Sequence, residues 1–235
     1  MNHMVRRYVF FVAGLFVNSL GVAFITRADL GTSPISSIPY VLSLNFSLTL
    51  GQYTMIFSAF IVLLQVLILR KDYPPIQLLQ LLVGVLFGYF IDFSMDVLLD
   101  WLNPDQYAAK MIYLLIGCAI LGFGVFMEVA ANALMLPGEG LANAIHIKSG
   151  VAFGTTKVCV DVSFIVGAAL LSLLFAHRII GVREGTIISA ILVGNLARFY
   201  GKRMKPVTDR LFPETDPKKD EAVSQDDEGQ GGAIS

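Results

Sequence analysis

The stretch that follows the first apolar span reads Leu30-Gly31-Thr32-Ser33-Pro34-Ile35, and the stretch that follows the fourth reads Leu136-Pro137-Gly138-Glu139-Gly140-Leu141. Each is followed by two further apolar spans, so the sequence predicts a duplicated unit of three spans. Because three is odd, the second unit must enter the bilayer in the opposite sense to the first, as in the inverted repeats of many secondary transporters. The pattern predicts an all-α polytopic membrane protein with six transmembrane helices.

Further landmarks recur in the same order in both units. They pair Gly14 and Gly21 with Gly117 and Gly124, Gly51-Gln52-Tyr53-Thr54 with Gly154-Thr155-Thr156-Lys157, and Leu82-Val83-Gly84 with Leu192-Val193-Gly194. The first three-span repeat is thus predicted at residues 1–103 and the second at 104–205. Residues 206–235 are polar and acidic, and we expect them to form a disordered cytoplasmic tail.

The composition is that of a membrane protein. Charged residues make up 15% of the chain and hydrophobic residues 55%, with a mean hydropathy of +0.69, whereas a soluble domain carries about 25% charged residues. No basic domain is present that would bind nucleic acid. The two cysteines, Cys118 and Cys159, lie in different apolar spans, so we expect no disulfide framework.

Six stretches are long enough to cross a hydrocarbon core, which takes roughly 17–25 residues. They are Tyr8–Thr26, Tyr53–Leu69, Ile76–Leu98, Met111–Asn132, Val158–Ala176 and Val182–Phe199. Lys and Arg in the short connections fall mostly on one side of these spans, which places both termini in the cytoplasm by the positive-inside rule. The predicted location is the inner (plasma) membrane, with the lipid bilayer as the surrounding partner.

The segments after spans one and four are too apolar for ordinary loops and too short to cross. We expect half-helices at Ile35–Leu44 and Leu141–Ile147 that enter the membrane from opposite faces. Ser33 is a suitable N-cap before Pro34, and Gly150 is a suitable stop for the second half-helix. Two half-helix N-termini that converge on a cavity would suit an anion. The alternative is that both segments are amphipathic connectors at the interface.

Ionisable residues at membrane depth are expensive, and the second repeat holds most of them. Glu128, Glu139, Lys157 and Asp161 are predicted to take part in proton or ion coupling, and Asp161 follows Lys157 at a spacing of four on one helix face. The alternative for Glu128, Lys157 and Asp161 is a charge cluster that only holds helices together. Substrate-binding candidates in this repeat are Glu139, Asn143 and His146.

The first repeat offers milder candidates. Asn18, Ser33 and Ser36 are predicted to contact substrate, and Asp92 to take part in ion coupling. Asp92 and Asp96 share a face near the outer end of the third span, which indicates a hydrated vestibule or a bound cation, although Asp96 could simply reach the headgroups. No second His or Cys stands at metal spacing beside His146, so no metal or other cofactor is expected.

These motifs together resemble the YczE/YyaS/YitT group of bacterial integral membrane proteins. The resemblance rests on the repeated motif after spans one and four, the Gly51-Gln52 and Gly154-Thr155 span starts, and Arg183-Glu184-Gly185-Thr186 before the last span. It covers roughly residues 8–204. It implies an integral membrane protein and assigns no catalytic residues.

The leading functional hypothesis is a small secondary transporter or permease that works by alternating access between the two repeats. Its substrate would be a small anionic or amphipathic molecule. The alternative is a non-transporting membrane protein, such as an assembly factor, a regulator or a substrate-capturing subunit of a larger importer. An enzyme is not expected, because no catalytic motif is present. A chain of 235 residues is small for a transporter that acts alone, so we expect a homodimer or a partner subunit.

Overall fold

The structure is a computed structural model that describes residues 3–211, and all regular elements in that range are helical. The helices are α1 (His3–Arg27), α2 (Ser37–Asn45), α3 (Leu50–Leu69), α4 (Leu79–Phe93), α5 (Tyr107–Ala131), α6 (Pro137–Ser149), α7 (Phe153–Ala176) and α8 (Glu184–Leu211). Short 3-10 turns cover Pro34–Ser36, Arg70–Asp72 and Pro75–Leu78, and a π-helical turn covers Ser94–Leu98. The predicted all-α class is confirmed.

Five helical segments in the described range are long and apolar enough to cross a membrane. They are Met4–Arg27, Leu50–Asp72, Pro75–Leu98, Tyr107–Ala131 and Phe153–Ala176. They match the first five predicted spans, and most begin several residues earlier than the hydrophobic pattern indicated. The predicted sixth span lies in α8, which has 28 residues but is not apolar enough to be counted with the others. Asn195 and Arg198 interrupt its apolar stretch.

The centre of the bundle is an antiparallel contact between α1 and α5. A Cβ atom on Gly14 would lie 2.8 Å from Cβ of Met127, and one on Gly117 would lie 2.8 Å from the backbone nitrogen of Ile25. Gly21 and Gly124 likewise meet the partner helix backbone, at Leu121 and Asn18, so small residues let the two helices approach closely. These glycines therefore serve a contact within the chain.

Short helices lie where the two half-helices were predicted, and their N-terminal ends meet inside the bundle. Helix α2 begins two residues after the predicted start, and α6 begins four residues before it. Gly138, at the start of α6, contacts the side chain of Ile35 in the turn before α2. The first turn of α6 is largely buried, whereas its last residues are exposed. Gly150 ends α6 in the left-handed conformation with φ 71°, and its N–H donates to the carbonyl of His146, as predicted.

The start of the first half-helix differs in detail from the prediction. Ser33 stands at the N-cap position before Pro34, but its hydroxyl donates to Ser36 Oγ at 3.0 Å and makes no capping bond to a backbone N–H. The motif Leu30-Gly31-Thr32 instead holds the start of α8. The N–H of Gly185 donates to the carbonyl of Leu30 at 2.8 Å, and the N–H of Thr32 donates to Thr186 Oγ1 at 3.2 Å.

Helix α8 packs along α5 and continues beyond the predicted end of the second repeat. Pro206 lies inside the helix, which runs to Leu211, so residues 206–211 are helical and not part of a disordered tail. The rest of the predicted tail, 212–235, lies outside the described residues. A Cβ atom on Gly194 would meet nothing within 4 Å, which shows that this face of α8 is open.

Candidate functional site

The junction of the two half-helices contains a small enclosed cavity. Its volume is about 10 Å³, which is room for about one water molecule. The lining residues are Ile35, Ser36, Thr54, Phe57, Ser58, Ile61, Phe87, Leu136 and Pro137. Ser36 comes from the first half-helix and Pro137 from the second, so the cavity lies where both N-terminal ends converge. The sequence-predicted residues Ser33 and Ser36 both belong to this junction.

Asn18 and Glu128 form a buried polar pair between α1 and α5. The side-chain amide of Asn18 donates to both carboxylate oxygens of Glu128, at 3.0 and 3.1 Å. Asn18 is 4% exposed and Glu128 is 3% exposed. A carboxyl group so deeply buried is costly unless it is paired, protonated or bound to a ligand. The contact joins a predicted substrate-binding residue to a predicted coupling residue.

Glu139 lies in the first turn of α6, close to the Asn18–Glu128 pair. Its carboxyl group is within electrostatic range of Glu128 and also of Lys157 and Asp161 on α7. A carboxylate at this position interacts favourably with the positive end of the α6 dipole, but it repels the neighbouring Glu128 carboxylate. Of the four ionisable residues predicted in the second repeat, Glu139 is therefore the one that interacts with each of the other three.

Lys157 and Asp161 form an ion pair one turn apart on α7. The amine of Lys157 donates to both carboxylate oxygens of Asp161, at 2.6 and 2.7 Å, and the two side chains are 31% and 24% exposed. Such a partly exposed pair contributes little stability, about 1 kcal/mol or less. With three carboxyl groups and one amine, the cluster made of Glu128, Glu139, Lys157 and Asp161 carries an excess of acidic groups.

Two glutamines that the sequence pattern did not single out lie against the first turn of α6. Gln65 on α3 and Gln80 on α4 are 0% and 1% exposed. Gln65 Nε2 donates to Gln80 Oε1 and to the carbonyl of Pro137, both at 3.0 Å. Gln65 Oε1 and Gln80 Nε2 have no hydrogen-bond partner in the described structure. The signal that could have revealed them is a glutamine inside each of two apolar spans.

Asn143 and His146 lie further along α6, and Asn143 follows Glu139 at a spacing of four on the same helix face. The His146 ring bonds through Nδ1 to the carbonyl of Val151 and contacts the ring of Phe153 edge-on, at a centroid distance of 6.4 Å. His146 thus makes a local contact in the turn between α6 and α7. Asn143 is partly buried one turn earlier in the helix. Their predicted role in substrate binding stays a prediction.

A larger open cavity lies at the opposite end of the bundle, where α1 and α4 end and α3 begins. Its volume is about 440 Å³, and its walls comprise Thr26, Arg27, Asp29, Tyr40, Ser43, Leu44, Leu48, Thr49, Leu50, Asp92, Met95, Asp96 and Asn103. Asp92 and Asp96 both line it, and the hydrated vestibule or bound cation that their spacing indicated stays a prediction. The cavity falls in the size range typical of small-molecule sites.

Asp92 itself has a structural contact that the sequence did not reveal. Its carboxylate accepts a hydrogen bond from the Thr49 hydroxyl at 2.6 Å and from the Gly51 N–H at 2.7 Å. It therefore stabilises the N-terminus of α3, where negative charge is favoured. The predicted part of Asp92 in ion coupling stays a prediction. Within residues 3–211, no group of three or more His, Cys, Asp or Glu could hold a metal ion.

The long apolar helices and the polar groups enclosed among them define a multi-pass membrane protein. Residues 5–202 match the model of a family of unknown function, DUF6198, and the chain belongs to that family. It is 34% identical over 201 residues to the uncharacterized membrane protein YczE of Bacillus subtilis (strain 168), a match that covers 84% of this chain and 86% of the relative. It is also 25% identical over 206 residues to the uncharacterized protein YyaS of the same organism, covering 88% and 96%. These matches confirm the resemblance to the YczE and YyaS proteins, and no solved structure matches the chain.

Proposed function

We propose that this protein is a secondary transporter of a small molecule that works by alternating access between two inverted repeats. The observation that carries the proposal is the buried Asn18–Glu128 pair, whose carboxyl group lies within electrostatic range of Glu139 in the first turn of α6. Ionisable groups buried among membrane helices are costly and commonly mark substrate or ion pathways. A half-helix that begins inside the bundle is a typical element of transporter binding sites.

The contacts between α1 and α5 support the inverted-repeat part of the proposal. Gly14 contacts Glu128, and Gly117 contacts Ile25. Gly14 and Gly117 are 103 positions apart, and so are Ile25 and Glu128. The same shift relates the contact of Gly21 with Leu121 to that of Gly124 with Asn18. Each contact thus has a counterpart with the two helices exchanged, which is the pattern expected for a twofold axis in the membrane plane.

We include α8 as the sixth span. Its start contacts the segment that follows α1 through Thr186 and Thr32, and its middle contacts α5, where Leu196 lies against Gly122. A helix that follows α5 over this length would cross the bilayer with it. Ile187 and Ile191 lie four residues apart on one face of α8, and both side chains are exposed. An exposed apolar face of this kind suits contact with lipid.

Single-cysteine labelling tests this topology and the proposed cytoplasmic position of both termini. In a variant without Cys118 and Cys159, His177→Cys should react with a membrane-impermeant thiol reagent applied to intact cells. Lys202→Cys should react only after the membrane is opened. Labelling of both positions from the same side of the membrane would refute the sixth span, and the reverse pattern would refute the orientation.

The proposed coupling ion is the proton, carried by Glu128 or Glu139. Two carboxyl groups close together in a poorly hydrated site favour uptake of a proton, because both cannot easily carry charge there. The half-helix N-termini offer N–H groups to an anionic substrate, as the sequence suggested, but an ionised Glu128 and Glu139 would repel it. Protonation of this pair would remove the repulsion, and so it would link substrate binding to proton binding.

A ligand screen tests the proposal while the substrate is still unidentified. We would measure the melting temperature of the purified protein with metabolites and ions at two pH values, for the wild type and for Glu139→Gln. A ligand at 100 times its Kd should add about 2.7 kcal/mol of stability. The stabilisation should be lost in Glu139→Gln and kept in the matched control Glu184→Gln, whose carboxyl group is exposed at the start of α8.

A ligand that stabilises the protein in this screen is then tested in a flux assay in proteoliposomes, with and without a pH gradient. Uptake that depends on the gradient and fails in Glu139→Gln and Asp161→Asn would support proton-coupled transport. Absence of any stabilising ligand from a folded protein would instead favour the second candidate, a non-transporting subunit or assembly factor. Cross-linking in membranes would then identify the homodimer or partner subunit that this candidate requires.

A further inference from the structure

Gln65 and Gln80 are buried polar side chains that the charged cluster does not use. They belong to α3 and α4 of the first repeat, and they contact the first turn of α6 in the second repeat through the carbonyl of Pro137. Gln65 Oε1 and Gln80 Nε2 are enclosed and have no hydrogen-bond partner in the described residues. Unpaired buried amide groups destabilise a structure, so their presence calls for a compensating role.

The missing side chain of Gly140 allows this arrangement. A Cβ atom at Gly140 would lie 2.7 Å from Gln65 Oε1 and 2.7 Å from Gln80 Nε2, closer than atoms can pack. The first turn of α6 therefore rests directly on the unpaired acceptor and the unpaired donor. If α6 withdrew, the same space would present one acceptor, one donor and the N–H groups at the helix N-terminus.

We propose that Gln65 and Gln80 form an occluded binding site for a neutral group that both accepts and donates hydrogen bonds, such as a carboxamide or a hydroxyl. A carboxamide would accept from Gln80 Nε2 and donate to Gln65 Oε1, which satisfies both unpaired atoms. Neither glutamine carries a charge, and Glu139, which directly precedes Gly140 in α6, disfavours an anionic group. The inference rests on the proposed function, since the motion that would open the site is the rocking of one repeat against the other.

The test uses purified full-length protein and the double variant Gln65→Leu/Gln80→Leu, which replaces both amides by apolar groups of similar size. The double variant removes the two unpaired atoms and also the bonds of Gln65 to Gln80 and Pro137, so its melting temperature without ligand serves as the check that it folds. If the glutamines only hold α6, no probe should shift the melting temperature of the wild type more than that of the double variant, and the proposal would be overturned. Gln77→Leu is the matched control, because Gln77 also has a buried unpaired oxygen but lies outside this site.

The ligand arm of the test uses neutral primary carboxamides and polyols, with acetate and methylammonium as charged counterparts. Members of the neutral set should raise the melting temperature of the wild type and of Gln77→Leu, and the shift should be lost completely in the double variant. Gln80→Asn, which keeps the amide but shortens its reach, should also lose the shift while retaining the fold. No shift with any neutral probe, or an equal shift in all variants, would overturn the proposal.

The outcomes separate this site from the proposed transport function. A neutral ligand that binds through the glutamines but shows no flux would support the site and contradict transport. A ligand whose binding requires Glu139 but not the glutamines would support the charged cluster and contradict this site. Stabilisation by acetate or methylammonium alone would show that the site takes a charged group, which also contradicts the proposal.

Discussion

The close contact between α1 and α5 can be tested with a single added methyl group. In Gly124→Ala, the new Cβ would meet the backbone of Asn18 and would lie 2.9 Å from its Cβ atom. Backbone atoms cannot rotate away, so the helices must separate, at a cost of about 1–3 kcal/mol for overpacking. The variant also gains up to about 1 kcal/mol from the better helix propensity of Ala.

Gly194→Ala is the matched control, because its Cβ would meet nothing within 4 Å. It has the same gain in helix propensity without the overpacking cost. The two variants should therefore differ in stability by about 1–3 kcal/mol. At roughly 2–4 °C per kcal/mol for a chain of this size, Gly124→Ala should melt roughly 2–12 °C below Gly194→Ala.

The assay is thermal unfolding of both variants in the same detergent, followed by a fluorescent thiol probe or by light scattering. Equal melting temperatures, or a higher value for Gly124→Ala, would refute the close antiparallel packing on which the inverted-repeat argument rests. A lower value for Gly124→Ala together with loss of the bound ligand found in the screen would show that the same contact also positions Asn18 against Glu128.

Two further predictions concern the helix ends. Asp92→Ala should lower the melting temperature by an amount equivalent to about 1 kcal/mol, because the Thr49 hydroxyl and the first turn of α3 lose their acceptor. Its exposed neighbour supplies the control, Asp96→Ala, which should leave the melting temperature unchanged. Equal effects of the two substitutions in a melting assay would contradict the capping role of Asp92. Gly150→Ala should cost about 1–2 kcal/mol of stability, because a backbone φ of 71° is unfavourable for Ala. Gly154→Ala in α7 should be neutral or stabilising, although the space around both glycines is open. The prediction fails if thermal unfolding gives Gly150→Ala a melting temperature equal to or above that of Gly154→Ala.

Much of the fold could be predicted from local features of the sequence. Apolar length identified the first five spans because a bilayer crossing requires about 20 apolar residues whatever the partner helices are. Gly150 marked the end of α6 because a left-handed residue favours glycine on local steric grounds. The last helix was harder, because the hydrophobic pattern ended near Phe199 while the helix continues through Pro206 to Leu211.

The candidate site was predictable only in part. Glu128, Glu139 and Asp161 stood out in the sequence because charge is expensive at membrane depth, and in the structure Glu139 lies within electrostatic range of the other two. The glutamine pair was missed because an uncharged amide in an apolar span is a weaker sequence signal than a charged group. Asp92 was expected to bind an ion, and its contact with Thr49 depends on how α3 and α4 pack, which no local pattern specifies.

The sequence by itself determined that the chain is helical and lies in a membrane, because these properties depend on composition and spacing along the chain. Only the tertiary structure decided which polar groups are paired. Asn18 meets Glu128 across 110 positions and Gln65 meets Pro137 across 72, contacts created by the packing of α1 on α5 and of α3 on α6. Hydrogen bonds act over about 3 Å, so their partners are known only when the helices are placed in space.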